Sequence, residues 1–216
     1  MSNDAMPFIP DGLIVFISGV PGVGKTTISY ELLKNYNKFR VIQETDLIRE
    51  ILRGFNEYIE KSINNPDVYN MIREKLYIPD HMKIFNYDEL KKVCLIMKKP
   101  IDLIVSRQQR KGISSIINGV HIVPEILNGI ARNNNIIYVN LYINNKSSLR
   151  SRLANRDPNK YMPYIDTSFD ANCSLHNNML VLSQKQPNVF IDIDVTYLSI
   201  EQIVKDIINF ITSNTS

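Results

Sequence analysis

Cysteine is scarce. Cys94 and Cys173 are too few and too far apart for a disulfide framework or a zinc cluster, so buried, hydrophobe-like thiols are their expected role. Histidine is nearly as rare, and His81, His121 and His176 show no metal-ligand spacing. No apolar run approaches the roughly 20 residues of a membrane span. The start, MSNDAMPFIPDG, lacks the charged-then-apolar pattern of a secretory leader. A cytoplasmic protein with no membrane partner is therefore expected. Charge of one sign is also missing. The 25 basic residues against 22 acidic ones leave +3, too near balance to argue for nucleic acid as a partner. Repeats, linkers and low-complexity segments are absent, and the length suits one α/β core with small insertions, so residues 1–216 read as a single domain.

What is present centres on LIVFISGVPGVGKTTISY, residues 13–30. Leu13 to Ile17 form a continuous apolar run, as expected of a strand covered on both faces of a parallel sheet. Gly19, Gly24, Lys25 and Thr26 then satisfy G-x-x-x-x-G-K-[ST], and an amphipathic helix follows with Ile28, Leu32 and Leu33. Glycines let a backbone close on an anion, so Gly19, Gly22, Val23 and Gly24 are expected to turn successive N–H groups toward phosphate oxygens. In this pattern Lys25 reaches the terminal phosphates and Thr26 offers its hydroxyl to Mg²⁺. Thr27 lies in the first helical turn, where free N–H groups and the helix dipole add to the attraction.

Strands and helices alternate from there on, which predicts a three-layer α/β fold, a parallel sheet with helices on both faces. Residues 1–12 read as a loose lead-in, and Phe39–Gln43 as a second strand leading to Glu44, Thr45 and Asp46. In the following helix Leu47, Ile48, Ile51, Leu52 and Phe55 share one stripe, expected to face the core. Asp46, Arg49 and Arg53, at i, i+3 and i+7, project from another side. Residues 56–87 hold no clean period and read as irregular or short-helical. They open a substrate-binding region expected over 56–110, whose second half is a helix from Tyr87 to Arg110 that Pro100 is expected to break or kink. Lys91, Lys92, Lys98 and Lys99 give it a basic face.

Ile113–Ile117 reads as a strand ending at Asn118 and Gly119, so Asn118 to His121 should lie beside the phosphate turn. A helix is expected from Pro124, with Glu125 in its first turn. Ile136–Ile143 is another strand, followed by a helix carrying Leu149 and Leu153 on one face and Arg152 and Arg156 on another, with Arg150 nearby. Residues 147–165 are expected to act as a lid. A long helix over about 168–186 has Phe169, Leu175, Met179 and Leu182 as core candidates and ends at Pro187. Val189–Val195 and IEQIVKDIINFI supply the last strand and helix.

The segments GVPGVGKTTISYEL, ETDLIREILRG and INGVHIVP, with NKYMPYIDTSF and NVFIDIDV more weakly, together resemble the P-loop small-molecule kinases, most closely the 2-phosphoglycerate kinase branch. The resemblance runs from about residue 13 to the end, apart from residues 56–86. It implies a phosphotransferase that uses ATP and Mg²⁺ and acts on a small anionic acceptor. It implies that Lys25 and Thr26 hold nucleotide and metal, that Asp46 faces the acceptor hydroxyl, and that Arg49 and Arg53 hold the acceptor's charge. Arg152 and Arg156 would be catalytic lid arginines, and Asn118 and His121 would join the acceptor site. The chain departs from the pattern at Asn118, where such kinases commonly carry Glu. An amide supplies no negative charge, which leaves Asp46 as the strong carboxylate expected in the site. Two rival readings stay open. One is a polynucleotide or nucleotide-sugar kinase that lands its substrate on the basic stretch from Lys91 to Lys111, and the other a nucleotide-binding regulatory module with weakened catalysis.

Overall fold

The computed structural model describes residues 8–63, 65–76, 87–127 and 135–214, with the side chains of 72–76 left aside. Its centre is β1 (Ile14–Ser18), whose five side chains are fully buried. Side chains alternate across a strand, so Val15 and Ile17 enter one face of the sheet and Ile14 and Phe16 the other. Each face is covered by helices, as the unbroken apolar run predicts. On the first face α1 (Lys25–Asn35) packs with Ile28 and Leu32, α5 (Lys146–Arg156) with Leu149 and Leu153, and α8 (Ile200–Asn214) with Ile203, Val204 and Ile207. On the second face α4 (Tyr87–Arg110) contributes Val93, Met97, Ile101 and Val105, and α7 (Ile165–Lys185) contributes Met179.

Four more strands pair in parallel around β1: β2 (Phe39–Glu44), β3 (Ser114–Asn118), β4 (Ile136–Tyr142) and β5 (Phe190–Asp194), in the order β2-β3-β1-β4-β5. The order reverses direction at β1. That is the switch point where the carboxyl ends of strands in open α/β sheets leave a crevice. The expected strands thus appear with boundaries shifted by a residue or two. No helix among the described residues is long and apolar enough to cross a membrane. Cys94 is fully buried, Cys173 partly so, and both are free thiols.

Three expectations are corrected and one is narrowed. Of the span expected to be irregular or short-helical, residues 56–62 continue α2 (Thr45–Ser62), which runs through Gly54, and α3 (Pro66–Leu76) follows. Residues 77–86, including His81, lie outside the described residues. The apolar stripe of α2 also divides. Ile48 and Leu52 pack on the sheet, whereas Leu47 and Ile51 are each 63 % exposed and Phe55 58 %. Because β2 is an edge strand, only a narrow seam of α2 meets the sheet. Pro100 sits inside a continuous α4, since the missing N–H costs one helical bond while Met97 and Ile101 hold both halves in the core. Finally, Pro124–Leu127 forms a 3₁₀ turn, and residues 128–134 lie outside the described residues. The expected lid, 147–165, consists of α5, α6 (Pro158–Tyr161) and a 3₁₀ turn at Met162–Tyr164.

Candidate active site

The phosphate turn leaves β1 through a gap only glycine fits. A Cβ on Gly19 would stand 2.3 Å from the Leu141 carbonyl oxygen and 2.8 Å from Val23 Cγ2. Val23 is buried beneath the loop, and Leu153 of α5 packs against Gly22 from the other side. Gly24 takes a left-handed conformation (φ 99°) and caps α1 without a side-chain bond, which leaves the first N–H groups of that helix facing the loop. Thr26 and Thr27 are exposed in that first turn. Lys25 is buried and its Nζ donates to Val20 O at 2.8 Å. Burial pushes its ammonium down to about 7, opposed by the charge of Asp46 and aided by that of Arg156.

Beside the loop, Lys25, Thr26, Glu44, Asp46, Asn118 and Arg156 line one cleft of about 70 Å³. Two adjacent strand ends build its wall, because Glu44 on β2 stands in register with Asn118 on β3. Asn118 is itself almost fully buried. Its Nδ2 donates to Ser29 Oγ at 2.8 Å, and Ser29 Oγ donates to Lys25 O at 2.8 Å, so the amide braces α1 against β3. Gly119 then lets α2 begin close by. A Cβ there would lie 1.7 Å from Thr45 Oγ1, and the next residue of α2 is Asp46. His121 Nδ1 stands 3.3 Å from Asp46 Oδ1 and 3.4 Å from Thr45 Oγ1. That hydrogen bond, helped by the charges of Arg49 and Lys25 and opposed by partial burial, draws the Asp46 carboxyl down to about 2. Asp46 is therefore a permanent acceptor at neutral pH.

Several residues expected in the site stand elsewhere. His121 has no exposed surface and stands behind the Asp46 carboxylate. Arg49, 5 % exposed, donates through Nη2 to Glu50 at 2.7 Å, and Arg53 Nη1 lies 3.3 Å from the same carboxylate. Neither lines the cleft. Arg152 donates to the carbonyls of Val195 and Thr196 at 2.6 and 3.3 Å, anchoring α5 to the chain after β5, while Arg150 is exposed. Arg156 alone of the three faces the cleft, with its guanidinium 5.6 Å from the centre of the Tyr161 ring. Lys91, within the basic stretch, pairs with Glu125 at 3.2 Å.

Glu44 was missed as a site residue, and it changes the reading of Asn118. The cleft contains a second carboxylate after all, carried by the neighbouring strand. The signal was in E-T-D, where one carboxylate closes β2 and the next opens α2 two residues on. No group of three or more His, Cys, Asp or Glu suited to a metal occurs among the described residues. The donors present still fit Mg²⁺, which takes one or two carboxylates along with substrate phosphates and its own waters. Glu44, Asp46 and the Thr26 hydroxyl are such donors.

Comparison with known proteins finds kinases. No family model matches the chain. A 2-phosphoglycerate kinase of Thermococcus kodakarensis is 30% identical over 166 residues, covering 71% of this chain and 53% of the relative. A mevalonate-3-phosphate 5-kinase of Thermoplasma acidophilum is 30% identical over 145 residues, 66% of this chain and 67% of the relative. The chain thus spans about half the length of the first of these and two thirds of the second. Among solved structures, shikimate kinase from Acinetobacter baumannii in complex with shikimate aligns over 99% of this chain and 98% of its own, with TM-score 0.55 and 16% identity, a likeness of fold.

Proposed function

The chain belongs to the P-loop kinases related to 2-phosphoglycerate kinase, and on that premise we propose that it moves the γ-phosphate of ATP to a hydroxyl of a small anionic acceptor. One observation supports this reading above the others: a cation, a hydroxyl and two carboxylates, Lys25, Thr26, Glu44 and Asp46, converge on one cleft at the sheet's switch point. Phosphoryl transfer asks little covalent chemistry of a protein. It needs positioning and neutralisation of negative charge spread over the transferring oxygens.

The loop from Gly19 to Thr27 would hold the phosphates through backbone N–H groups, with Lys25 turning its ammonium from Val20 O onto them. Mg²⁺, bound near Thr26, Glu44 and Asp46, would neutralise phosphate charge. Arg156 would meet the transferring group from the α5 side. Asp46, kept ionised by His121, would accept a hydrogen bond from the acceptor hydroxyl and so aim its oxygen. As the new bond from that oxygen to the γ-phosphorus forms, the bond from the γ-phosphorus to the ADP oxygen breaks, and the hydroxyl proton passes to Asp46 and then to water. Dependence on ATP fits a cytoplasmic protein. The test is ADP release from ATP and Mg²⁺ across phosphorylated and plain hydroxy acids. The reading fails if the nucleotide binds and no acceptor stimulates ADP release.

A further inference from the structure

A second cavity, also about 70 Å³, adjoins the phosphate cleft and shares Pro21, Val120 and Tyr161 with it. Its walls are Leu90 of α4, Val120 after β3, Ala171 and Leu175 of α7, and the side chains of Tyr161 and Tyr164. Leu90 and Leu175 are buried, so this wall is built into the fold. Among the described residues no acidic or basic side chain lines it. Of its two short hydroxyl side chains, Thr167 already donates to Tyr164 O at 3.1 Å, and Ser168 is the other. Among the described residues the cations that line either cavity are Lys25 and Arg156, both on the cleft side.

We infer that the acceptor carries its reacting hydroxyl and its charge on a short branched hydrocarbon body, and that this body occupies the apolar cavity while the hydroxyl faces Asp46. The inference rests on the kinase reading above and adds the class of acceptor to it. A cavity of about 150 Å³ accommodates benzene, so this one suits roughly three or four carbon atoms. A sugar or an unbranched glycerate would fit less well. The former would bury hydroxyls with few partners, each at a cost of about tenfold or more in binding, and the latter would leave the apolar walls bare. The bonds made and broken are those of the proposed transfer: acceptor oxygen to γ-phosphorus formed, γ-phosphorus to ADP oxygen broken, proton to Asp46.

The test uses the full chain with ATP and Mg²⁺ and three probes: 2-phosphoglycerate, its 2-methyl homologue and its 2-isopropyl homologue. ADP release is expected to show kcat/KM rising about four- to tenfold with each carbon accommodated. Ala171→Leu and Ser168→Leu, which fill the cavity from partly exposed positions on α7, should each abolish that preference. Both should keep affinity for a non-hydrolysable ATP analogue within about twofold of wild type, which also reports folding. Equal or better use of unbranched 2-phosphoglycerate by the wild-type chain would overturn the inference while leaving the kinase reading standing, as would a preference untouched in both variants. Analogue binding with no ADP release from any probe or other hydroxy acid would remove both.

Discussion

Replacing Gly119 with alanine is the sharpest probe of how the strand ends aim the carboxylate at 46. The added Cβ would stand 1.7 Å from Thr45 Oγ1, 2.8 Å from its Cβ and 3.2 Å from its Cγ2, where relaxed carbon contacts lie at about 3.5–4.0 Å. Thr45 is fully buried, so its side chain cannot swing away and the start of α2 has to move by an ångström or more. Overpacking of this kind costs about 1–3 kcal/mol. At roughly 2–4 °C per kcal/mol for a chain of this size, Tm should fall by about 2–12 °C. Activity should suffer more than stability, because Asp46 follows Thr45 directly and a 1 Å misplacement costs on the order of 10²-fold. Scanning calorimetry and ADP-release kinetics measure the two effects. Adding Thr45→Ala removes Oγ1 and Cγ2 and should restore part of each, with the Cβ contact at 2.8 Å left as residual strain. A single variant with wild-type Tm and kcat/KM, or a double variant with no recovery, would refute the close approach of β3 and α2 as the device that places Asp46.

Three further outcomes are expected. Lys25 in the free protein titrates near 7, below its unfolded value of 10.5, so the unfolded chain holds the extra proton between those values and stability of the free protein should rise with pH across that window. Phosphates favour the ammonium. Nucleotide binding above pH 7 should therefore take up a proton, seen by calorimetry in two buffers of different ionisation enthalpy, and Lys25→Met should abolish both the uptake and most of the affinity. Glu44→Gln should raise the Mg²⁺ concentration needed for half-maximal activity about tenfold or more with little change in Tm, whereas Asn118→Glu should lower Tm without raising turnover. The second variant loses the bond to Ser29 and sets a second carboxylate beside Glu44, so a gain in activity there would show that the cleft lacks negative charge. Glu50→Gln should lower Tm, because almost fully buried Arg49 loses its carboxylate, and should leave the KM for the acceptor unchanged. A fall in KM would mean that Arg49 and Arg53 serve the acceptor once Glu50 releases them.

The fold was legible where side-chain period and burial agree. An unbroken apolar run such as Ile14 to Ile17 has only one stable home, a strand covered on both faces, and the glycines after it announce the turn and the helix. The phosphate loop was legible for the same reason, since its chemistry lies within nine consecutive residues. Helical spacing is weaker evidence. It states which side chains share a face and leaves open what that face meets. Leu47 and Ile51 turn to solvent while Ile48 and Leu52 pack into the core beneath the sheet, a consequence of tertiary placement beside an edge strand that no local window contains.

The same gap explains the acceptor side. Spacing puts Arg49 and Arg53 on one side of α2 and the resemblance implies that they hold the acceptor's charge, but Glu50 lies between them in sequence and its carboxylate meets both guanidinium groups. The resemblance implies a lid role for Arg152, but two carbonyls after β5 accept its protons, a partnership between residues 43 and 44 positions apart. Among the described residues, Lys25 and Arg156 are the cations that line the cleft. On the proposed reading, an acceptor held there would meet little positive charge from those residues beyond what the nucleotide phosphates themselves require. Shape and apolar contact against Leu90, Val120 and Leu175 would then carry much of its selection.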